Sequence, residues 1–210
     1  MVRVFVFRGS DLTKPPEQSL SADQTSRLRQ LLAAHKVKAF NIAHKAARKA
    51  DSRFRLDLTR MTLIGADLLR IDLARANLKG TDLTKSNLAR ANLREALLGG
   101  AGLTRTTLAG ATLAGANLAI ADLTGANLAG ADLAWADLTG AKLAGAILSW
   151  SNLAVANLTG TKLVGADFTG ANLAGADFTG AKLAGADFTG AKLNKWTKGL
   201  TAGQLGRIKN

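Results

Sequence analysis

Ala121-Asp122-Leu123-Thr124-Gly125, followed directly by Ala126-Asn127-Leu128-Ala129-Gly130, decides the fold of this chain. One motif is written twice, five residues apart: a small residue, Asp or Asn, Leu, a variable residue and Gly. The beat holds in both directions. From Leu58 to Leu193 every fifth residue is Leu or Phe, 28 positions in all, the Phe being Phe168, Phe178 and Phe188. Two residues before each of them Ala stands at 20 of the 28 positions, and Thr81, Ser86, Thr106, Ser151 and Thr161 keep the position small at five more. Only Leu56, Met61 and Ile71, all at the start, are large there.

A period of five suits neither regular element. Five helical residues rotate by about 500°, so successive Leu would scatter around the axis, and in a flat strand they would alternate between faces. Gly as frequent as Gly110, Gly115, Gly125 and Gly130 also weakens a helix by about 1 kcal/mol each. A chain that turns after every five residues satisfies the pattern. Each unit then sends one large and one small side chain inward and keeps a turn residue at its corner.

These units resemble the A-(D/N)-L-x-x signature of the pentapeptide-repeat family over residues 56–195. The resemblance implies an all-β solenoid: a right-handed quadrilateral β-helix with four pentapeptides per coil, hence about seven coils in 140 residues. At a strand spacing of about 4.8 Å the stack is roughly 30 Å long. A single coil has nothing above or below to cover its core, so the coils form together and both ends need caps.

The flanks are read as those caps. Residues 1–55 form a basic N-terminal extension, in which the apolar opening Met1 to Phe7 reads as a short strand and Pro15-Pro16 as a loop. One amphipathic α-helix over 22–50 then follows, opened by the capping box Ser21-Ala22-Asp23-Gln24. Its apolar face is Leu28, Leu32, His35, Ala39, Ile42 and Ala46, and we expect that face on the first coil, where Leu56, Met61 and Ile71 widen the core. Residues 196–210 form the other cap, with a short C-terminal helix opening at Thr201-Ala202-Gly203-Gln204 beside Trp196.

The sequence offers no catalytic constellation. With no Cys there is neither disulfide nor thiolate metal site. His35 and His44 sit nine residues apart, on different sides of the expected helix, as one interface and one solvated His. Asp122, Asp132 and Asp137 keep the repeat period and are read as bonding local backbone. No catalytic residue, metal or cofactor is expected. No stretch approaches the roughly 20 apolar residues of a membrane span, and Arg3 and Arg8 interrupt any signal peptide. The expected compartment is the cytoplasm, or an organelle matrix without a cleaved presequence.

Charge supplies the functional expectation. Against 28 Lys and Arg stand 15 Asp and Glu, a net +13, and residues 1–110 hold +11 of it. Such an imbalance favours anionic partners. The candidate contact residues are Lys36, Lys38, Lys45, Arg48 and Lys49 on the helix. On the solenoid they are Arg60, Arg70, Arg75, Lys85, Arg90 and Arg105, with Arg70 and Arg90 in one column and Lys85 and Arg105 in another. A further column, Lys142, Lys162 and Lys182, places like charges one coil apart. Trp135, Ile147, Trp150 and Val155 form an apolar outward patch suited to another protein or a second copy of the chain. The expected function is a structural or adaptor subunit, not an enzyme, that docks its basic end on an RNA-containing assembly or an acidic protein. Quinolone-resistance members of the family bind DNA gyrase by imitating acidic duplex DNA. That alternative meets the wrong charge sign here.

Overall fold

The computed structural model describes residues 19–33, 36–51 and 54–201. Two helices, α1 (Ser19–Ala33) and α2 (Val37–Ala50), precede a stack in which parallel bridges join residue to residue twenty further on, from Asp57–Asn77 to Asn172–Lys192. Twenty residues are four pentapeptides, so each coil closes after four sides. Asp177 pairs with Lys198 instead, one residue out of step.

Every backbone N–H of the unit 121–125 has an acceptor, and this explains the motif. In 121–125, Asp122 N donates to Ala101 O of the preceding coil (2.9 Å), while Leu123 N and Gly125 N donate to Lys142 O (2.7 Å) and Ala144 O (2.9 Å) of the next. Ala126 N closes the turn onto Leu123 O (2.9 Å). The remaining donor, Thr124 N, goes to Asp122 Oδ1 at 3.1 Å. Asp or Asn therefore stands before the Leu because its side chain accepts the one N–H that neither turn nor ladder uses.

Inside, the repeat Leu from Leu68 to Leu173 are fully buried. Phe168 and Phe188 stack at 5.1 Å with Phe178 edge-on to both, as the columns of the repeat require. The hydroxyls at small positions are also buried and satisfied: Thr81 and Thr106 donate to Leu58 O and Leu83 O, and Ser86, Ser151 and Thr161 to the Leu three residues back.

The single helix expected over 22–50 is two. α1 begins at Ser19, ahead of the expected box, and Lys36 (φ −92°, ψ 62°) leaves helical geometry before α2. One helix of that span would be about 43 Å long, whereas a five-residue side reaches at most about 18 Å, so a break lets both pieces lie on the coil end. The break resets the phase of α2. Phe40, His44 and Ala47 face inward, joining Leu28 and Leu32 of α1, Phe54, Leu56 and Ile71, while Ile42 is 73% exposed and Ala39 and Ala46 are exposed too. The expected strand at Met1 to Phe7, the loop at Pro15-Pro16, His35 and the helix beyond Thr201 lie outside the described residues.

Candidate binding surfaces

The corner residue, two after each repeat Leu, has positive φ at every unit from Arg60 to Gly190. Gly fills most corners, but eleven carry side chains: Arg60, Arg70, Arg75, Lys85, Arg90, Glu95, Arg105, Ile120, Trp135, Trp150 and Val155, with φ between 55° and 63°. An L-residue in this region is strained by about 1–2 kcal/mol, and β-branched residues are its rarest occupants. All six basic residues expected on the solenoid are corner residues. Three of the four apolar ones are as well.

Following the chain, Arg60 stands at the first corner, Lys85 and Arg105 at the second, Arg70 and Arg90 at the third and Arg75 at the fourth. The cations thus ring all four corners as a collar. Arg75 is engaged by Glu95, Nε to Oε2 at 2.9 Å. Arg60, Arg90 and Arg105 run along their corners toward the Gly above, where an added Cβ would meet each Cγ at 3.5–3.6 Å.

Helix α2 presents the densest positive surface. Lys38, Lys45 and Lys49 fall within about 40° of one another on the helix and are all exposed, with Ile42 between them. Lys36 is exposed at the start of α2, whereas Arg48 is half-buried and lies 3.7 Å from Asp72. Lys36 and Lys38 also line, with Arg70, an open groove of about 910 Å³ between α2 and the first coil. In the Lys142 column, Lys142 Nζ bonds Asp122 Oδ2 at 3.1 Å, relieving part of the like-charge contact.

The apolar residues gather around one side of the solenoid. Trp135 and Val155 follow each other at the fourth corner and Trp150 stands at the third, so both corners of the side containing Asn152 and Ala154 are apolar. Ile147 lies on the adjoining side that ends at Trp150. Trp135 and Trp150 are 69% and 73% exposed. Sequence reasoning missed Ile120, 71% exposed at the first corner, although counting corners that lack Gly finds it.

The carboxylates serve the backbone. A hydrogen bond from the Thr hydroxyl two residues on, then one from its N–H, holds Asp57, Asp82 and Asp177 below the usual carboxylate range. His44 is fully buried, its pKa lowered first by desolvation. Its Nδ1 lies 2.7 Å from Asp72 O and its Nε2 has no partner among the described residues. Among the described residues no group of three His, Asp or Glu could hold a metal, and no helix is long and apolar enough to cross a membrane.

A profile described as pentapeptide repeats matches residues 55–88, 86–119, 120–153 and 151–190 in eight copies. The chain belongs to the pentapeptide-repeat family. Its fold is accordingly the right-handed quadrilateral β-helix of that family. Among solved structures, this pentapeptide-repeat chain is 31% identical to HetL of the cyanobacterium Nostoc sp. strain PCC 7120, a protein involved in the regulation of heterocyst differentiation. That match covers 75% of this chain and 92% of HetL, with a TM-score of 0.55. The Nostoc protein alr5209 is 32% identical over 49% of this chain and 84% of its own (TM-score 0.36). QnrB1, a plasmid-mediated fluoroquinolone resistance protein, is 18% identical over 63% and 77% (TM-score 0.45). No curated protein sequence matches the chain.

Proposed function

We propose that this pentapeptide-repeat protein is a non-catalytic adaptor. About seven coils form a rigid rod, α1 and α2 cap its N-terminal end, and the basic end docks on an anionic macromolecular partner. The observation that carries this is the outward stripe of α2. Lys38, Lys45 and Lys49 project together, and no acidic residue occurs between Lys36 and Ala50. The collar of Arg60, Arg70, Lys85, Arg90 and Arg105 extends the same field along the rod, so an RNA-containing assembly and an acidic protein both present the complementary charge. A gyrase ligand that imitates DNA needs a negative outline, and a net charge of +13 opposes it.

Reversing Lys38, Lys45 and Lys49 to Glu tests the proposal, with Arg48 kept because it lies beside Asp72. Binding of polyglutamate or of a poly-U oligonucleotide is expected to disappear while the melting temperature stays within a few degrees, since exposed charges contribute about 0–1 kcal/mol each. A variant that binds both probes like the parent would remove the basic end as the docking site. A second contact is favoured by a separate observation. Trp135, Trp150, Val155 and Ile120 keep side chains at strained corners where Gly is unstrained, and strain retained at exposed positions points to a use for the side chain. We assign the patch of Trp135, Ile147, Trp150 and Val155 to a second copy of the chain.

A further inference from the structure

The basic end of the stack is covered unevenly, and this bears on how an anionic partner is held; the inference rests on the docking proposed above. Within the stack, the residue before each repeat Leu spends both backbone groups along the axis. Asp82 N donates to Met61 O (2.9 Å), and Asp82 O accepts from Leu63 N (2.7 Å). In the first coil the equivalent groups of Thr62, Asp67 and Asp72 point off the end. At Asp72 two side chains of α2 take the place of the missing coil: Asn41 Oδ1 accepts from its N–H (2.8 Å) and His44 Nδ1 donates to its C=O (2.7 Å). Asn41 Nδ2 adds a bond to Arg70 O at 3.0 Å. The backbone groups of Thr62 and Asp67 have no such partner among the described residues.

The side chains along this edge differ from those above. Leu69 is 44% exposed where the six coils above carry only Ala, Ser or Thr, and Ile64 is 55% exposed on the neighbouring side. An unpaired strand edge flanked by apolar residues is a template for an added strand. The groove beside it has Lys36, Lys38 and Arg70 on its walls. Its one acid, Asp67, already accepts from Asn87 Nδ2 at 2.9 Å.

We propose that this edge binds an acidic segment of a partner protein by strand addition, the segment bending at the corner between the two sides as a repeat unit does. The segment's backbone pairs with Thr62 and Asp67, its apolar side chains rest on Ile64 and Leu69, and its carboxylates reach Lys36, Lys38 and Arg70. Charge selects the occupant: residues 19–55 hold nine basic and two acidic side chains. A nucleic acid meets the same charge but has no alternating N–H and C=O to continue the ladder, and among the described residues no aromatic ring lines the groove to stack its bases. The chain's own opening, with Arg3 and Arg8, has the wrong sign for the groove.

Fluorescence anisotropy on the full chain tests this with an alternating Glu-Val octapeptide, its two forms N-methylated on alternate sets of amides, and a poly-U oligonucleotide. The octapeptide is expected to bind, and methylation of either set of amides to weaken it, because the donors that meet Thr62 O and Asp67 O stand five residues apart, one in each set; binding unchanged in both methylated forms overturns strand addition. Leu69→Lys adds a positive charge while removing the apolar rest, so it is expected to weaken the octapeptide by roughly tenfold or more. Thr62→Pro, which removes an N–H unused within the stack, is expected to do the same with an unchanged melting temperature. Tighter or equal binding by Leu69→Lys overturns strand addition and leaves charge-driven docking standing. Binding of poly-U but not of the octapeptide makes the partner a nucleic acid and overturns it too. Thr62→Pro lowering the melting temperature without any peptide shows that the chain's own residues already occupy the edge, which also overturns it. Failure of both probes sinks this inference together with the docking on which it rests.

Discussion

A Trp at a corner that suits Gly sets two effects against each other. Its positive φ strains the backbone by about 1–2 kcal/mol, yet the Trp150 ring lies so close over Gly170 that an added Cβ there would come within 2.7 Å of it. That contact leaves the outer face of the ring bare. Replacing Trp135 and Trp150 together by Gly removes the strain and the contact at once, and Gly gives back about 0.5–1 kcal/mol in chain entropy. The double variant is expected to melt within a few degrees of the parent while self-association, followed by sedimentation velocity, weakens. Sedimentation identical to that of the parent would remove the patch as a contact between copies. The inward residues were legible from the five-residue beat, as was the turn at each corner. The strain was less so, because Arg90 or Trp150 reads as an outward side chain until its φ is known.

At the scale of elements, the helices are where sequence reading and structure part. Leu28 and Leu32 are buried in one cluster with Leu56 and Ile71, but nothing between Ala33 and Lys36, neither Gly nor Pro, marks the break, which the size of the coil end imposes. Phase is lost across it, so Ile42 was read inward and Phe40 was not read at all. His44 gains a role by that shift. Neutral, it donates Nδ1–H to Asp72 O, while protonation would bury a charge whose Nε2–H has no acceptor among the described residues; the Asp72 carboxylate favours the charge and Arg48 opposes it. Desolvation dominates, so the folded-state pKa lies below the ordinary 6.5. The unfolded state therefore binds the proton first. The stability His44 contributes is complete above 6.5 and is lost as pH falls from there toward the folded-state value. Melting of the helices, followed by circular dichroism, is expected to occur at lower temperature as pH falls through that window in the parent and to change less in His44→Gln. An equal pH dependence in both would exclude His44 as the source.

Across the whole molecule, the quadrilateral register made the columns countable from the sequence, and Arg90 above Arg70 and Arg105 above Lys85 follow from it. What the columns did not reveal is that the basic corners encircle the first coils while α2 gathers its lysines on one stripe, because the orientation of α2 depends on the break before it. The field of such an end is long-ranged at low salt and shrinks as the screening length falls from about 10 Å at 0.1 M to about 3 Å at 1 M. The central claim, docking of an anionic partner through the basic end, is tested most directly by the salt dependence of parent binding to polyglutamate. Affinity is expected to fall by an order of magnitude or more between about 50 mM and about 200 mM salt, the behaviour of a contact made by several released counterions. An affinity that does not change over that range contradicts it.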